Sequence, residues 1–383
     1  MTKHRVFFYV QYLQGVGHLY RALHIARAMT EAGLAVDLVS GGVPVPGLDA
    51  ANVHLHQLTP IKCRDGDFSD LIDTNGRSID GSFMDRRRDE LLSLFRHQQP
   101  AAIVVEAFPF GRRQMRFELL PFLELARSTS PKPIVICSIR DILQVSDKPG
   151  RGRETVDYVN EFFDYVLVHG DPAFAAFDET FHDTSEIAGK IHYTGMVAKL
   201  SHPAQASRGQ AEGEVLVSAG GGAQSEILLE AAMAARPLSK TKDLPWRLLA
   251  GPNLPHNEFA RLAAQVPAGV TLEPNRNDFA SLLAECAVSV SQAGYNTVVD
   301  LLRCGCRSVV VPYSARGETE QLFRARRIQE MGLAQVVEET ELGPETLACA
   351  IDAALAAPPL GPTDIDLGGA EKSARLISTW LKD

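Results

Sequence analysis

The sequence predicts an α/β protein made of two Rossmann-like domains, each a doubly wound parallel sheet with helices on both faces. Three observations predict it. Short apolar runs of strand length alternate with segments of helical period along the whole chain. A unit of strand, glycine loop and helix opens the chain and starts again at "EVLVSAGGGAQSEILLEAAMAA". Between the two lies "AKLSHPAQASRGQAEGE", polar and aperiodic, which reads as a linker. The expected layout is an N-terminal domain over 1–198, a linker over 199–213 and a C-terminal domain over 214–369, with a cleft between the domains. A Pro/Gly-rich stretch, 358–369, precedes a last helix, Ala370–Leu381.

In the first domain the strand candidates are Arg5–Leu13, Ala35–Ser40, Ile103–Glu106, Pro133–Ser138, Tyr165–His169 and Ile191–Gly195. In the second they are Glu214–Ala219, Trp246–Gly251, Val270–Glu273, Val288–Ser291, Ser308–Pro312 and Ala334–Val337. Most are continuous apolar runs, not alternating ones. A strand buried on both faces has no polar side, so this is the signature of a covered parallel sheet.

Bulk properties narrow the function. Of 383 residues, 45% are apolar and 22% charged, the balance of a soluble globular protein. A net charge of −9 argues against a broad nucleic-acid surface. The longest strongly apolar stretches, such as Val6–Leu13 and Ser308–Pro312, are too short to span a bilayer. Lys3-His4-Arg5 leads directly into a strand, so no signal peptide is expected. Six cysteines, with no CxxC pair, read as reduced thiols in a cytoplasmic protein. Cys304-Gly-Cys306 lacks the two further ligands a metal site needs.

The glycine loops differ. Gly15-Val16-Gly17-His18-Leu19-Tyr20 matches a dinucleotide fingerprint only in part, because Tyr20 stands at the third glycine and no acid ends the second strand. Asp37 is at about the right distance but lies inside that strand. Neither NAD nor FAD is expected, and no GK[ST] marks a P-loop. Ser218-Ala219-Gly220-Gly221-Gly222-Ala223 follows a strand and opens a helix. Its three glycines let backbone N–H groups approach an anion at a helix N-terminus, so it reads as a phosphate loop. A plain strand–helix turn is the alternative.

Further on, "VSQAGYNTVVDLLRCGCRSVVVPYSARGETEQLFRARRIQEMGLAQVV" gathers polar residues at successive strand ends. A small-residue turn, Gln292-Ala293-Gly294, opens a helix with Thr297 and Asp300; a Pro-ended strand follows, then Glu318, Glu320 and Gln321. This pattern resembles the GT-B glycosyltransferases, in particular the group with the MurG-type and glycolipid-type enzymes. The stretches "EAFPFGRRQMRFELLPFLE", "SIRDIL" and "FDYVLVHGDP" are similar to a set of predicted glycosyltransferases, and the resemblance runs over essentially the whole chain.

The resemblance implies a GT-B fold and a donor site in the C-terminal domain. Asp300 stands where the family binds the ribose diol, although many members carry Glu there. Glu320 and Gln321 fall where the donor sugar is gripped. Gly294, Asn296 and Thr297 would line the diphosphate together with Gly220, Gly221 and Gly222. Asn275 and Arg276 fall where the backbone reads the nucleobase edge. The last helix, 370–383, would cross back onto the N-terminal domain. Each side chain has a plainer reading: a solvated acid for Asp300, a surface charge for Glu320, a pair with Asp278 for Arg276.

Sugar transfer needs a base for the acceptor hydroxyl and stabilisation of the departing diphosphate. His18 is the base candidate: its loop follows the first strand, and an imidazole suits proton transfer near neutrality. Glu106, ending another strand, is the candidate for orienting it or touching the acceptor; Arg140 and Asp141 are weaker acceptor contacts. Gly15 and Gly17 would let the chain turn tightly and admit substrate. His54 and His56 read as structural, whereas His169 ends a strand and could face the cleft. Asp364-Ile-Asp366 lies in the Pro/Gly-rich tail, so no metal is expected there. Arg112, Arg113 and Arg116 are interspersed with Phe117, Leu120 and Phe122; a membrane contact or a helix with its apolar face in the core both fit, and the second is favoured. Arg86-Arg87-Arg88 between Asp85 and Asp89 reads as a solvated helix face.

The expectation is therefore a metal-independent, inverting glycosyltransferase without a cofactor, using a nucleoside-diphosphate sugar, UDP-linked by preference, as co-substrate. The acceptor would be lipid-linked or a small metabolite, with at most peripheral membrane contact. A nucleotide-sugar 2-epimerase or a non-catalytic nucleotide-sugar-binding protein remain alternatives.

Overall fold

The computed structural model describes residues 4–64, 67–144, 148–199, 213–220, 225–251, 254–276, 278–358, 360–361 and 363–382. Two compact units result, one of Met1–Leu200 with Ile365–Asp383 and one of Ser201–Asp364.

Among the described residues the first unit carries nine strands: β1 (Arg5–Val10), β2 (Ala35–Ser40), β3 (His54–Gln57), β4 (Lys62–Arg64), β5 (Asp67–Ile72), β6 (Ala102–Glu106), β7 (Ile134–Arg140), β8 (Tyr165–His169) and β9 (Ile191–Tyr193). Seven form one sheet in the order β3-β2-β1-β6-β7-β8-β9, parallel at every pairing. The antiparallel pair β4–β5 stands apart. Helices α1 (Gly17–Glu31), α2 (Gly81–Gln98), α3 (Arg116–Ser128) and α4 (Arg151–Phe162) connect them. The Asp80 carboxylate caps α2 by accepting from the Phe83 N–H at 2.7 Å.

Burial on both faces explains the apolar runs. Along β1, Phe7 and Tyr9 enter one core while Val6, Phe8 and Val10 enter the other. Asp37, inside β2, is buried and satisfied by Arg5 Nη1 at 2.6 Å and His56 Nε2 at 2.7 Å, which is a structural role.

The second unit holds β10 (Val215–Ser218), β11 (Trp246–Leu249), β12 (Val270–Glu273), β13 (Val288–Ser291), β14 (Ser308–Val310) and β15 (Gln335–Val336), ordered β12-β11-β10-β13-β14-β15. Every pairing is parallel. Its helices are α5 (Ser225–Ala235), α6 (His256–Ala263), α7 (Phe279–Glu285), α8 (Tyr295–Cys304), α9 (Glu320–Glu330) and α10 (Pro344–Ala356). Gly305, at φ 64°, ends α8 in the left-handed conformation that glycine tolerates.

The chain then re-enters the first unit. Helix α11 (Gly369–Trp380) buries Ala370, Ala374 and Ile377 in the core that α1 lines with Leu19, Leu23 and Ala26. Trp380 stacks on Tyr165 with ring centroids 3.7 Å apart and planes 5° from parallel. A Cβ on Gly369 would overlap the carbonyl oxygen of Gly195, so only glycine fits where this helix begins.

Six of the twelve expected strands are shorter than the apolar runs suggest, four coincide with them and two, β6 and β7, are longer; where a strand is shorter, most flanking residues leave the ladder while staying buried. Arg87 departs from the solvated face expected of its run: it is 1% exposed, donates to Gln11 Oε1 at 3.1 Å and pairs with the buried Glu118 at 3.2 Å. Tyr9 hydroxyl donates to the same carboxylate. Helix α3 turns Leu119, Phe122, Leu123 and Ala126 into the core, and Arg113 and Arg116 both pair with Glu154. Among the described residues no helix is long and apolar enough to cross a membrane.

Candidate active site

In each sheet the strand order reverses beside its first strand, between β1 and β6 in one unit and between β10 and β13 in the other. Loops leaving adjacent strands there diverge to opposite faces and open a crevice at the strands' C-terminal ends. The sequence-predicted residues His18 and Glu106 fall at the first of these points, Gly220 and Gly294 at the second.

His18 is the second residue of α1, just after the turn that follows β1. Glu106 is the last residue of β6, the strand next to β1. Their side chains meet: His18 Nδ1 lies 3.0 Å from Glu106 Oε1. Arg21, three residues along α1 and on the same helix face, donates to that same oxygen. Ser138 Oγ, from β7, donates to Oε2 at 2.5 Å. Burial alone would raise the Glu106 carboxyl, but the Arg21 guanidinium, the His18 ring and the Ser138 hydroxyl outweigh it and hold it far below the ordinary carboxylate range. An ionised carboxylate only accepts, so His18 donates to it from Nδ1; Arg21 Nη2, 3.3 Å from the same nitrogen, directs its hydrogen to the nearer Glu106 oxygen instead. Its Nε2 then carries the lone pair, and no described residue bonds to it. The side chain keeps 13% of its surface exposed.

The His18 pKa lies well below 6.5. Burial is the main cause and the Arg112 guanidinium the next, with Arg140 and Arg21 adding to them; the Glu106 hydrogen bond opposes. The ring is therefore neutral at neutral pH, as a base must be. Arg112 reaches this position on an unusual loop. Ala107 has φ 67° and Arg112 φ 58°, left-handed backbone that costs a non-glycine residue about 1–2 kcal/mol. Arg112 Nε donates to Gln11 O at 2.8 Å, and burial, then Arg140, lower its pKa to about 10.

Other expectations for this unit change. Neither Gly15 nor Gly17 has a positive φ, and a Cβ on the exposed Gly15 would touch nothing within 4 Å; the tight turn does not require a glycine at Gly15. Asp141 is fully buried, where an acceptor contact would need exposure; its Oδ1 accepts the Ile142 N–H at 2.8 Å, and Gly170 packs too close to it to admit a Cβ. Arg140 is half-buried at the end of β7, opposite His169 in register. His169 is fully buried, not facing a cleft, and sits 2.8 Å from Ser138 Oγ. Ser138 is the functional candidate the sequence did not mark.

In the second unit, Ser218 and Ser291 are register partners, so the loops that follow them run side by side. Gly220 has φ 65°, which favours glycine, and a Cβ there would sit 3.1 Å from Gln292 Oε1, so that side chain would have to give slightly. Gly221 and Gly222 lie outside the described residues. Gly294 caps α8, with Asn296 and Thr297 in its first turn and Asp300 one turn further on the Asn296 face. All three are half-buried.

The remaining donor candidates have protein partners. Glu320 is buried and pairs with Arg324 at 2.9 Å; Arg324 in turn donates to Ala293 O at 3.2 Å and lies over the Tyr295 ring. The Glu320 carboxylate thus braces the turn before α8. Gln321 Oε1 accepts the Tyr313 N–H at 3.2 Å, and Glu318 accepts the Glu320 and Gln321 N–H groups at the start of α9. Arg276 takes the plainer course, gripping Asp278 through two nitrogens and Glu273 through a third; Asn275 beside it is exposed.

Comparison with known proteins identifies the fold. Residues 215–362 match the model of the glycosyltransferase family 28 C-terminal domain. The UDP-N-acetylglucosamine–N-acetylmuramyl-(pentapeptide) pyrophosphoryl-undecaprenol N-acetylglucosamine transferase of Agrobacterium fabrum is 28% identical over 145 residues, 37% of this chain and 38% of that protein. The enzyme of the same description from Rhodospirillum centenum is 34% identical over 105 residues, 27% of each. The chain thus spans well under half the length of these relatives. Over the whole fold, the calicheamicin glycosyltransferase CalG4 superposes with a TM-score of 0.65 at 16% identity, covering 100% of this chain and 99% of its own. MurG of Acinetobacter baumannii gives 0.57 at 16% identity, covering 99% and 100%. Glycosyltransferase SsfS6 of Streptomyces sp. SF2575, complexed with thymidine diphosphate, gives 0.56 at 16%, covering 98% and 99%. The fold is GT-B, and the second unit resembles that of MurG-type enzymes.

Proposed function

We propose that this GT-B chain transfers a sugar from a nucleoside-diphosphate sugar to an acceptor hydroxyl, with inversion at the anomeric carbon. The observation that carries the reading is the His18–Glu106 pair. An imidazole with hydrogen on Nδ1, a lone pair on Nε2 and a depressed pKa is a poised general base. In the proposed step the acceptor oxygen gives its proton to His18 Nε2 and bonds to the anomeric carbon. The carbon–oxygen bond to the diphosphate breaks on the opposite side, and the diphosphate leaves with the electron pair.

The second unit is the proposed donor side. Gly220, with Gly221 and Gly222, and the α8 N-terminus behind Gly294 would present backbone N–H groups to the diphosphate, so that no metal is needed. Asp300 would take the ribose, Gln321 the sugar, and Asn275 with the Arg276 backbone the base. The relatives' names make uridine the first base to test. The acceptor is proposed to be lipid-linked or a small metabolite.

A thermal-shift screen of UDP, GDP, dTDP and their sugars tests the donor site, because a ligand that binds the folded chain raises its Tm. No shift with any of them sinks the reading. Turnover unchanged by EDTA is expected of a metal-independent enzyme. Epimerised sugar formed from the donor alone, without acceptor, would replace transfer by epimerisation.

A further inference from the structure

The hydrogen-bonded row at His18 continues past Glu106. Ser138 Oγ is 2.5 Å from Glu106 Oε2 and 2.8 Å from His169 Nε2, and His169 Nδ1 is 2.9 Å from Thr194 Oγ1. Glu106, Ser138, His169 and Thr194 are all 0% exposed. They come from the ends of β6 and β8, from two residues before the end of β7 and from the residue after β9, four neighbouring strands in sheet order.

One arrangement of protons satisfies the row. Glu106 is ionised and accepts only, so the single Ser138 hydrogen goes to it. Ser138 then offers His169 a lone pair, and His169 Nε2 must carry the hydrogen. Neutral His169 has its other lone pair on Nδ1, which the Thr194 hydroxyl fills. Thr194 Oγ1 also lies 3.0 Å from Gly195 O and 3.3 Å from Val168 O, but its one hydrogen is needed at His169, whose Nδ1 is nearer at 2.9 Å. Every bond therefore points the same way, from Thr194 toward the carboxylate that holds His18.

Apolar side chains would fill these three positions at less desolvation cost than Ser, His and Thr. We propose that Ser138 and His169 are positioning residues of the transfer reaction, which through Glu106 fix the His18 ring with hydrogen on Nδ1 and the lone pair on Nε2. This rests on the proposed function for its link to catalysis, though not for the row itself. The charged and titratable groups around the row are Arg21 from α1, Arg112 from the loop after β6, and Cys137 and Arg140 from β7. Burial, then Arg21, lowers His169 to about 3, so it stays neutral throughout the working range.

The test uses the full chain with 15N-labelled histidine, read by two-bond ¹H–¹⁵N spectra that report which ring nitrogen carries hydrogen. In the wild type, His18 is expected as the Nδ1–H form and His169 as the Nε2–H form at neutral pH. Ser138→Ala removes a donor to Glu106 and makes the carboxylate more basic toward His18. Its His18 midpoint should move to higher pH, and kcat should fall roughly tenfold with the donor KM unchanged. His169→Leu should shift His18 in the same direction. His169→Gln, whose amide can still donate to Ser138, should restore the wild-type behaviour, and it serves with Ser138→Ala should His169→Leu not fold.

An unchanged His18 tautomer and midpoint in both Ser138→Ala and His169→Leu would overturn the positioning role, whatever the activity. So would an Nδ1–H form of His169. A shifted His18 midpoint in variants of a protein that transfers no sugar from any nucleotide sugar would support the row and sink the transferase reading instead.

Discussion

His18 Nδ1 and Glu106 Oε1 stand 3.0 Å apart across 88 residues of sequence. The contact exists because β1 and β6 are neighbours at the point where the sheet reverses order. One residue starts a helix and the other ends a strand, so both are fixed by regular structure rather than by loop packing.

If His18 is the base, His18→Ala should lower kcat/KM for transfer by about 10²–10⁴ while leaving nucleotide binding intact. The measurement is steady-state kinetics alongside titration of the nucleoside diphosphate by calorimetry. Near-normal transfer in the variant would exclude the assignment.

The pH profile should follow the lowered His18 pKa. The base works only when neutral, so the acid limb of kcat/KM should lie below 6.5. Arg112 disfavours the imidazolium by its charge. Arg112→Gln should therefore raise the His18 pKa and move the acid limb to higher pH. A limb that stays in place, or moves down, would show that Arg112 does not act on the ring.

Gly220 and Gly15 should respond differently to alanine. Gly220→Ala meets both a φ of 65° and Gln292 at 3.1 Å, so about 1–2 kcal/mol of strain falls on the proposed diphosphate loop. The expected result is nucleoside-diphosphate affinity weakened by about tenfold. Gly15→Ala has neither constraint, and its Tm and nucleotide affinity should match the wild type. Equal effects of the two would remove the physical reason for the second glycine loop.

Arg87→Met should destabilise the chain by about 3–5 kcal/mol, because it leaves the Glu118 carboxylate in a core without its ion-pair partner, held only by the Tyr9 hydroxyl among the described residues. Burial already raises the Glu118 carboxyl. The double variant Arg87→Met with Glu118→Gln should recover part of the loss, as measured by urea unfolding. No recovery would mean that Arg87 contributes packing, not charge.

The sequence made the sheets legible because doubly covered strands are continuous apolar runs. It pointed to Glu106 because that residue ends such a run, and to His18 because a glycine turn follows another. It hid whatever depends on the neighbour across the sheet. Arg87 looks the same as Arg86 and Arg88 until α2 is turned so that one of the three faces Glu118. Ser138 ends an apolar run like many a structural serine, and only the placement of Glu106 and His169 on either side gives it a task. Glu320 reads as a ligand contact until Arg324, one turn along the same helix, is seen to hold it. The hairpin β4–β5 was invisible because its strands are short and the first half of Asp67–Ile72, Phe68 included, is exposed.

The return of α11 to the first unit has a consequence for biosynthesis. A ribosome must finish the whole second unit before it delivers Trp380 to Tyr165 and Ile377 to the core beside α1. Until then the nascent first unit holds an apolar surface uncovered on that side of its sheet. The second unit is encoded in one uninterrupted stretch and can close first. The order of folding should thus run against the order of synthesis, with the half made earlier completed last.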